Sequence, residues 1–381
     1  MADTATNPFR YGALALDKSF TNRTAELAEL RADLVNGQDV VIFAPRRFGK
    51  SSLVWRVAQQ AGREGVLVAQ VDLMTTPTKE KLAEKLAKAI HDDIASPLLR
   101  AKERLRVFSG LRIAPIVTVD PEDGSFAFTF ATGRSRDDVD ATLEHLFQLP
   151  GRLAGERDRR VALVLDEFQE VVDIDPNLPK LMRAVFQEQP EVAHVYLGSK
   201  RHMMERIFND ENEPFWRSAK AIELGPISAR DFRRYIEARF AETGRLVDAG
   251  VVDRVLELTQ GHPYATQELC YFLWEAAAGG TADALALDEA LAGVLRSEHA
   301  HFSLIWDRAA TSQRQLLQAL AVELGRPYSG DYRARHGLPA VSSIQRAIEA
   351  LGGDELIAKT ESGEYLISEP FLAAWIRSNE L

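Results

Sequence analysis

The chain has 381 residues, 46% of them hydrophobic, and a formal net charge of −10. That length suits about two to three domains with ordinary folded cores. The negative balance argues against a globally basic nucleic-acid binder, although a local basic patch stays open. The single cysteine, Cys270, excludes intrachain disulfides and a cysteine-based zinc site, and its neighbours Leu269, Tyr271 and Phe272 suggest a packed thiol. No apolar run reaches about eighteen residues and no signal peptide opens the chain, so the expectation is a cytoplasmic protein with no membrane partner.

Residues 1–8 are polar and expected to fray. Asn7-Pro8-Phe9-Arg10-Tyr11-Gly12 reads as an ordered turn with aromatic anchors. Thr21 or Asn22 can cap a helix running to Asn36, stopped by Gly37, with Leu27, Leu30, Leu34 and Val35 at helical spacing. Val40 to Phe43 is the first strand. It feeds Ala44-Pro45-Arg46-Arg47-Phe48-Gly49-Lys50-Ser51-Ser52, whose end opens a helix from Ser51 to Ala61. Strand, tight loop and helix N-terminus is the order of a phosphate-binding P-loop. Backbone N–H groups and the helix dipole favour an anion there, Lys50 can reach the β- and γ-phosphates, and the Ser51 hydroxyl can meet Mg²⁺. Ala44 stands where G-x-x-x-x-G-K-S/T has its first Gly. A positive φ would cost Ala about 1 kcal/mol or more, so an ordinary φ is expected. Arg46 and Arg47 add positive charge near the phosphates or pair with acidic residues.

Gly65 to Leu73 is a continuous apolar second strand, expected to be buried in a parallel sheet. Lys79 to Leu99 is an amphipathic helix. Leu111 to Val119 and Ser125 to Thr132 form an inserted hairpin at about 105–135, read as a surface decoration rather than a partner contact. Helix Asp137 to Leu153, strand Arg160 to Glu167, helix Pro179 to Gln189, strand Val192 to Ser199, a helix from Met203 to Phe208 and strand Ala221 to Leu224 continue the alternation. That rhythm predicts an α/β fold, a parallel sheet with helices on both faces.

After Gly225-Pro226 only helices follow: Ser228 to Glu242, Ala249 to Thr259, Pro263 to Gly279-Gly280, and about Leu287 to Ser297. From Ser303 the pattern becomes Thr311 to Leu324, Tyr328 to His336, Pro339 to Leu351, a hairpin about Glu361-Ser362-Gly363-Glu364, and Pro370 to Arg377. Three helices and a hairpin make the winged-helix layout, with Ser342, Ser343, Gln345 and Arg346 on its exposed recognition face. The expected domains are therefore 1–225, 226–300 and 301–381.

The chemistry gathers on a second acidic motif. Asp166 and Glu167 end an apolar strand, where parallel sheets place ligands. Asp166 is expected in the Mg²⁺ shell, and Glu167 to orient and deprotonate the attacking water. Ser199, ending the next strand, can bond the γ-phosphate or that water, or merely cap the strand. Arg201, Arg206 and Arg217 are candidates for an arginine finger, each also readable as a surface charge. Gly261-His262-Pro263 is a helix stop and start, and could set Pro263 or His262 over an adenine.

Together these residues resemble the archaeal-type ATPases of the STAND class, an AAA-like branch of the P-loop NTPases. The resemblance rests on Asn7 to Gly12 and Phe20 to Leu27, on Pro45-Arg46-Arg47-Phe48-Gly49-Lys50-Ser51-Ser52-Leu53, and on Leu165-Asp166-Glu167-Phe168-Gln169. It continues through Leu197-Gly198-Ser199 with Met204 and Ile207-Phe208, Gly261-His262-Pro263-Tyr264, and the ending from Leu351 to Arg377. The resemblance implies ATP and Mg²⁺ as cofactors, a helical lid, and a nucleotide-operated switch. It implies that Pro263 touches adenine and that the opening segment, with Phe9, Tyr11 and Arg23, helps enclose the base. Ala44 departs from the family's Gly and bears on hydrolysis rate more than on ATP binding.

The expected function is a slow ATPase switch that binds ATP and hydrolyses it to ADP, in which nucleotide state moves lid and winged helix, with a protein partner or self-association as the expected contact. A second reading is an ATP-dependent DNA-binding regulator or mobile-element accessory protein. Against it, residues 311–381 carry seven Lys/Arg and nine Asp/Glu, a poor endowment for phosphate contacts. A third reading is a non-hydrolysing nucleotide-binding scaffold.

Overall fold

The computed structural model describes residues 6–99, 101–278, 280–360 and 362–381. Gly279 and Glu361, the ends of a predicted helix and turn, and the first five residues of the polar leader lie outside them. By contacts the chain divides into two units. One comprises Arg23–Arg46 and Lys50–Leu224; the other joins the residues up to Asn22, Arg47–Gly49 and Gly225–Leu381.

The first unit is the expected α/β sheet. Helix α1 (Thr24–Asn36) leads to β1 (Val40–Phe43), α2 (Lys50–Arg63), β2 (Leu67–Asp72) and α3 (Lys79–Ala89). A hairpin, β3 (Ile116–Val119) and β4 (Phe126–Thr129), precedes α4 (Arg136–Arg157) and β5 (Val161–Asp166). Then come α5 (Leu178–Phe186), β6 (Val192–Gly198), α6 (Arg201–Asn209) and β7 (Lys220–Glu223). Five strands pair in the order β2-β5-β6-β1-β7, and every pairing is parallel. β1, β5 and β6 are almost entirely buried, because interior parallel strands have both faces covered.

Several sequence expectations need correction. β2 is an edge strand with Gln70 and Asp72 exposed, since only β5 flanks it. Neither Thr21 nor Asn22 caps α1: Arg23 occupies the cap position at φ 67° with no side-chain cap bond, and the Asn22 amide donates to Asp231 instead. The helix from Lys79 passes into a π-helical stretch, Ile90–Ala95. The hairpin is more than decoration. Phe108, Phe128 and Phe130 are buried in the same cluster as α3 and α4 side chains.

The second unit is helical: α7 (Ala229–Glu242), α8 (Ala249–Thr259), α9 (Pro263–Ala276) and α10 (Ala284–Arg308), with a two-residue pairing of β8 (Leu246–Val247) and β9 (Thr281–Ala282). The fourth helix, expected over Leu287 to Ser297, runs on through position 301 to Arg308. Leu304 is exposed while Phe302 and Trp306 are buried, so one face keeps its periodicity past the polar run. Then follow α11 (Thr311–Val322), α12 (Gly330–His336), α13 (Val341–Gly353), the hairpin β10 (Ile357–Lys359) and β11 (Tyr365–Ile367), and α14 (Leu372–Asn379). These are the expected winged-helix elements. Trp375, Phe371, Leu316 and Ile344 form their core. Cys270 is fully buried, as a packed thiol should be.

Candidate functional site

The sheet order sets the site. β6 lies between β1 and β5, so the loop after β1, the acidic end of β5 and Ser199 beyond β6 meet at one edge. In a parallel sheet the carboxyl ends of neighbouring strands converge on such a crevice.

Ala44 is buried at an ordinary φ; within the loop the positive φ values fall on Arg47 (64°) and Gly49 (84°). The loop therefore takes its left-handed turns three and five residues later than its missing glycine would suggest. Lys50 is only 7% exposed. Its Nζ donates to the carbonyls of Ala44 (2.8 Å) and Pro45 (3.0 Å), folding the ammonium back over the loop it would serve. Ser51 Oγ donates to Asp166 Oδ2 at 3.1 Å, and Ser52 is buried beneath.

The two carboxyls are driven apart. Burial, then the charge of Glu167, raises Asp166, with the Ser51 bond opposing. Burial also pushes Glu167 upward, but bonds from Gln169 and Ser199 and the charge of Lys50 outweigh it and leave this carboxyl below its ordinary value. Ser199 Oγ donates to Glu167 Oε2 at 2.7 Å and its backbone N–H at 3.3 Å. Gln169 Nε2 donates to the same oxygen at 2.6 Å. The strand-cap reading of Ser199 thus gives way to a bond with the neighbouring strand's carboxylate. Glu167 itself sits just past β5 at φ 53°, an uncommon conformation for a non-glycine residue.

An acceptor oxygen beside a serine hydroxyl suits Mg²⁺, which keeps several waters and takes one or two carboxylates plus substrate phosphate. Among the described residues no group of three or more His, Cys, Asp or Glu could hold a metal by itself. The pair Ser51–Asp166 fits the open kind of site.

Two residues escaped the sequence reading. Gln169 is one; its only signal was its place in the acidic motif. Asp72 is the other, in register with Asp166. Its Oδ1 accepts the Met74 N–H, which turns it into its own loop. The candidate arginine fingers are engaged locally: Arg201 with Glu205 and Glu223, Arg206 with Glu213, and Arg217 over the Trp216 ring. Arg23 is buried and paired with Glu26.

In the second unit, the Phe48 ring packs edge-on to His262 (4.7 Å between centroids), and the exposed Arg47 lays its guanidinium 4.2 Å over Tyr264. Arg46 is exposed and Pro45 half-buried in the other unit. His262 caps α9 by accepting the Ala265 N–H at 3.2 Å, and Pro263 takes the first helical position, where its missing N–H costs nothing. Burial and the Arg47 charge push His262 down to about 4. Tyr11 lies edge-on to Tyr264 and Tyr271. Phe9 is fully buried between Tyr235 and Phe240, so its ring anchors the opening segment rather than offering a surface to a base.

No described helix is long and apolar enough to cross a membrane. Residues 300–378 match the family described as "Probable winged helix domain". No curated protein matches the chain. Among solved structures, the Walker-type ATPase of Pyrococcus abyssi is 17% identical, with a TM-score of 0.68 over 97% of this chain and 99% of that one. The ORC2 protein of Aeropyrum pernix, in ADPNP-ADP complexes, is 15% identical, with a TM-score of 0.57 over 98% and 97%. At such identities the likeness is one of fold: a parallel α/β sheet of the kind seen in these P-loop ATPases, with a winged helix domain at residues 300–378.

Proposed function

We propose that the chain is an ATP-binding, Mg²⁺-dependent ATPase of the STAND type, with domains at 1–225, 226–300 and 301–381, whose nucleotide state sets the positions of lid and winged helix. The observation that carries the reading is the convergence of Lys50, Ser51, Asp166, Glu167 and Ser199 at one sheet edge. Loop residues 45–52 would cradle the phosphates, with Lys50 leaving its two carbonyls for phosphate oxygens. Mg²⁺ supplies charge neutralisation when bound, held by Ser51 and Asp166. Glu167 takes the proton of the attacking water, and Ser199 keeps that carboxylate in place. Tyr11, Arg23 and Pro263 would serve the base. Arg47 and Phe48 pack on Tyr264 and His262 within the helical unit.

The test is a pair of variants. Lys50→Ala abolishes measurable ATP binding. Glu167→Gln keeps binding and lowers turnover by about 10²–10⁴-fold, the usual worth of a general base. Undiminished phosphate release by the Glu167→Gln protein would sink the assignment.

For the winged helix a protein partner or self-association is favoured over DNA. Its surface exposes Val322, Leu324, Tyr328 and Val341, and its acidic residues outnumber its basic ones.

A further inference from the structure

Glu167 Oε2 accepts three hydrogen bonds: from Ser199 Oγ, from Ser199 N–H and from Gln169 Nε2. Glu167 Oε1 accepts none among the described residues. The carboxylate is thus held by one oxygen with the other left open. Gln169 is 1% exposed. Its Nε2 spends its second hydrogen on Glu170 Oε1 (3.3 Å), which also pairs with Lys200 Nζ (2.9 Å). Its own carbonyl oxygen is buried without a partner. An orphaned buried acceptor is unfavourable, and the reversed amide would set that oxygen against two carboxylates. The side chain therefore tolerates a lost acceptor in order to keep both donors on acids.

The surroundings leave Gln169 little freedom. It follows Phe168, which is locked among the rings of Tyr196, Phe208 and Phe215. Above it lies Gly198, where an added Cβ would fall 2.6 Å from Gln169 Oε1 and overlap Met204. Gly198 thus admits the amide, and the amide reaches the carboxylate.

We propose that Gln169 is a positioning residue for Glu167: its amide and Ser199 pin Oε2 from two sides and leave Oε1 as the atom that receives the water proton. The inference rests on the ATPase reading. In the step it serves, the water oxygen forms a bond to the γ-phosphorus while its proton passes to Oε1. The bond from the γ-phosphorus to the bridging oxygen breaks, and its electron pair leaves on ADP.

The test uses Gln169→Met in the full chain, which removes both donors at nearly constant volume. The expected result is a kcat lower by about 10- to 100-fold, as small misplacements of a reacting group produce, with KM and equilibrium ATP affinity unchanged. In a Glu167→Gln background the same substitution has no further effect, because the group it positions is gone. An unchanged kcat overturns the inference, as does a loss that tracks ATP affinity, or an equal loss in the Glu167→Gln background. Should the methionine variant not fold, Ser199→Ala removes the opposite donor and must show the same split between kcat and KM. A wild-type protein without Glu167-dependent phosphate release ends the ATPase reading and this inference with it. Glu167-dependent release alongside an unaffected Gln169→Met protein ends this inference alone.

Discussion

His262 shows how one side chain can join a helix start, a ring contact and a charge. Its Nδ1 accepts the Ala265 N–H, so the ring caps α9 only while that nitrogen carries no proton. Burial and Arg47 lower its pKa from 6.5 to about 4. The unfolded chain therefore binds a proton near pH 6.5 that the folded chain refuses until about pH 4. Stability is unaffected by this group above pH 6.5 and falls as pH drops through that window, by about 3 kcal/mol at most. His262→Asn keeps a cap acceptor and cannot titrate. Denaturant unfolding at pH 7 and pH 4.5 should show the wild type losing more stability than the variant, and equal losses would rule the effect out. At the same scale, Asp166 and Glu167 are neighbours in sequence with opposite shifts. Their letters name two carboxyls; their hydrogen-bond partners and the charges beside them separate a candidate metal ligand from a candidate base.

At the scale of elements, the inserted hairpin alternates as a half-buried pair should. Phe128 on β4 is buried while Ile116 on β3 is exposed. Its sequence showed strand propensity and a turn, but which face met a core depended on α3, far away in the chain. Phe128→Ala should lower stability by about 3–5 kcal/mol, whereas Ile116→Thr should change it by less than about 0.5 kcal/mol. Urea unfolding of the two variants checks this, and equal small effects would return the hairpin to the status of decoration. β2 illustrates the reverse error: an apolar run suggested a buried strand, and at the sheet edge Gln70 and Asp72 are exposed. The sequence pattern ends this chain's tenth helix at about Ser297, whereas α10 runs on to Arg308. Packing of Phe302 and Trp306 carries the helix past that point.

At the scale of the whole molecule, the opening segment belongs with the helical unit, not with the sheet that follows it in sequence. Phe9 fills that unit's core, and the Asn7 amide donates to the Tyr271 carbonyl at 3.1 Å. Phe9→Ala should therefore speed limited proteolysis within residues 225–381 and lower the thermal midpoint. A cleavage pattern unchanged there, with the sheet unit loosened instead, would contradict the grouping. The acidic balance of residues 311–381 leads to an equally plain expectation, that the full chain gives no salt-dependent shift of duplex DNA.

The local features were legible from sequence because they follow from near neighbours. Apolar runs marked β1, β5 and β6, the Gly-Lys-Ser loop marked the opening of α2, and Ser228 and Pro263 marked helix starts. Those signals depend on backbone propensity and periodicity over a few residues, which the chain carries wherever it folds. Strand order could not be read, because parallel strands joined by helices place no local constraint on which neighbour each will choose. That order, with β6 between β1 and β5, brings Ser199 to Glu167 and aligns Asp72 with Asp166. It also sets Gly198 over Gln169, so a glycine and an amide twenty-nine positions apart become one support. The sequence by itself determined which loop follows β1 and which two carboxyls end β5; the tertiary structure decided which oxygen of Glu167 is held and which is left open, because hydrogen bonds between strands depend on distances that sequence separation does not encode.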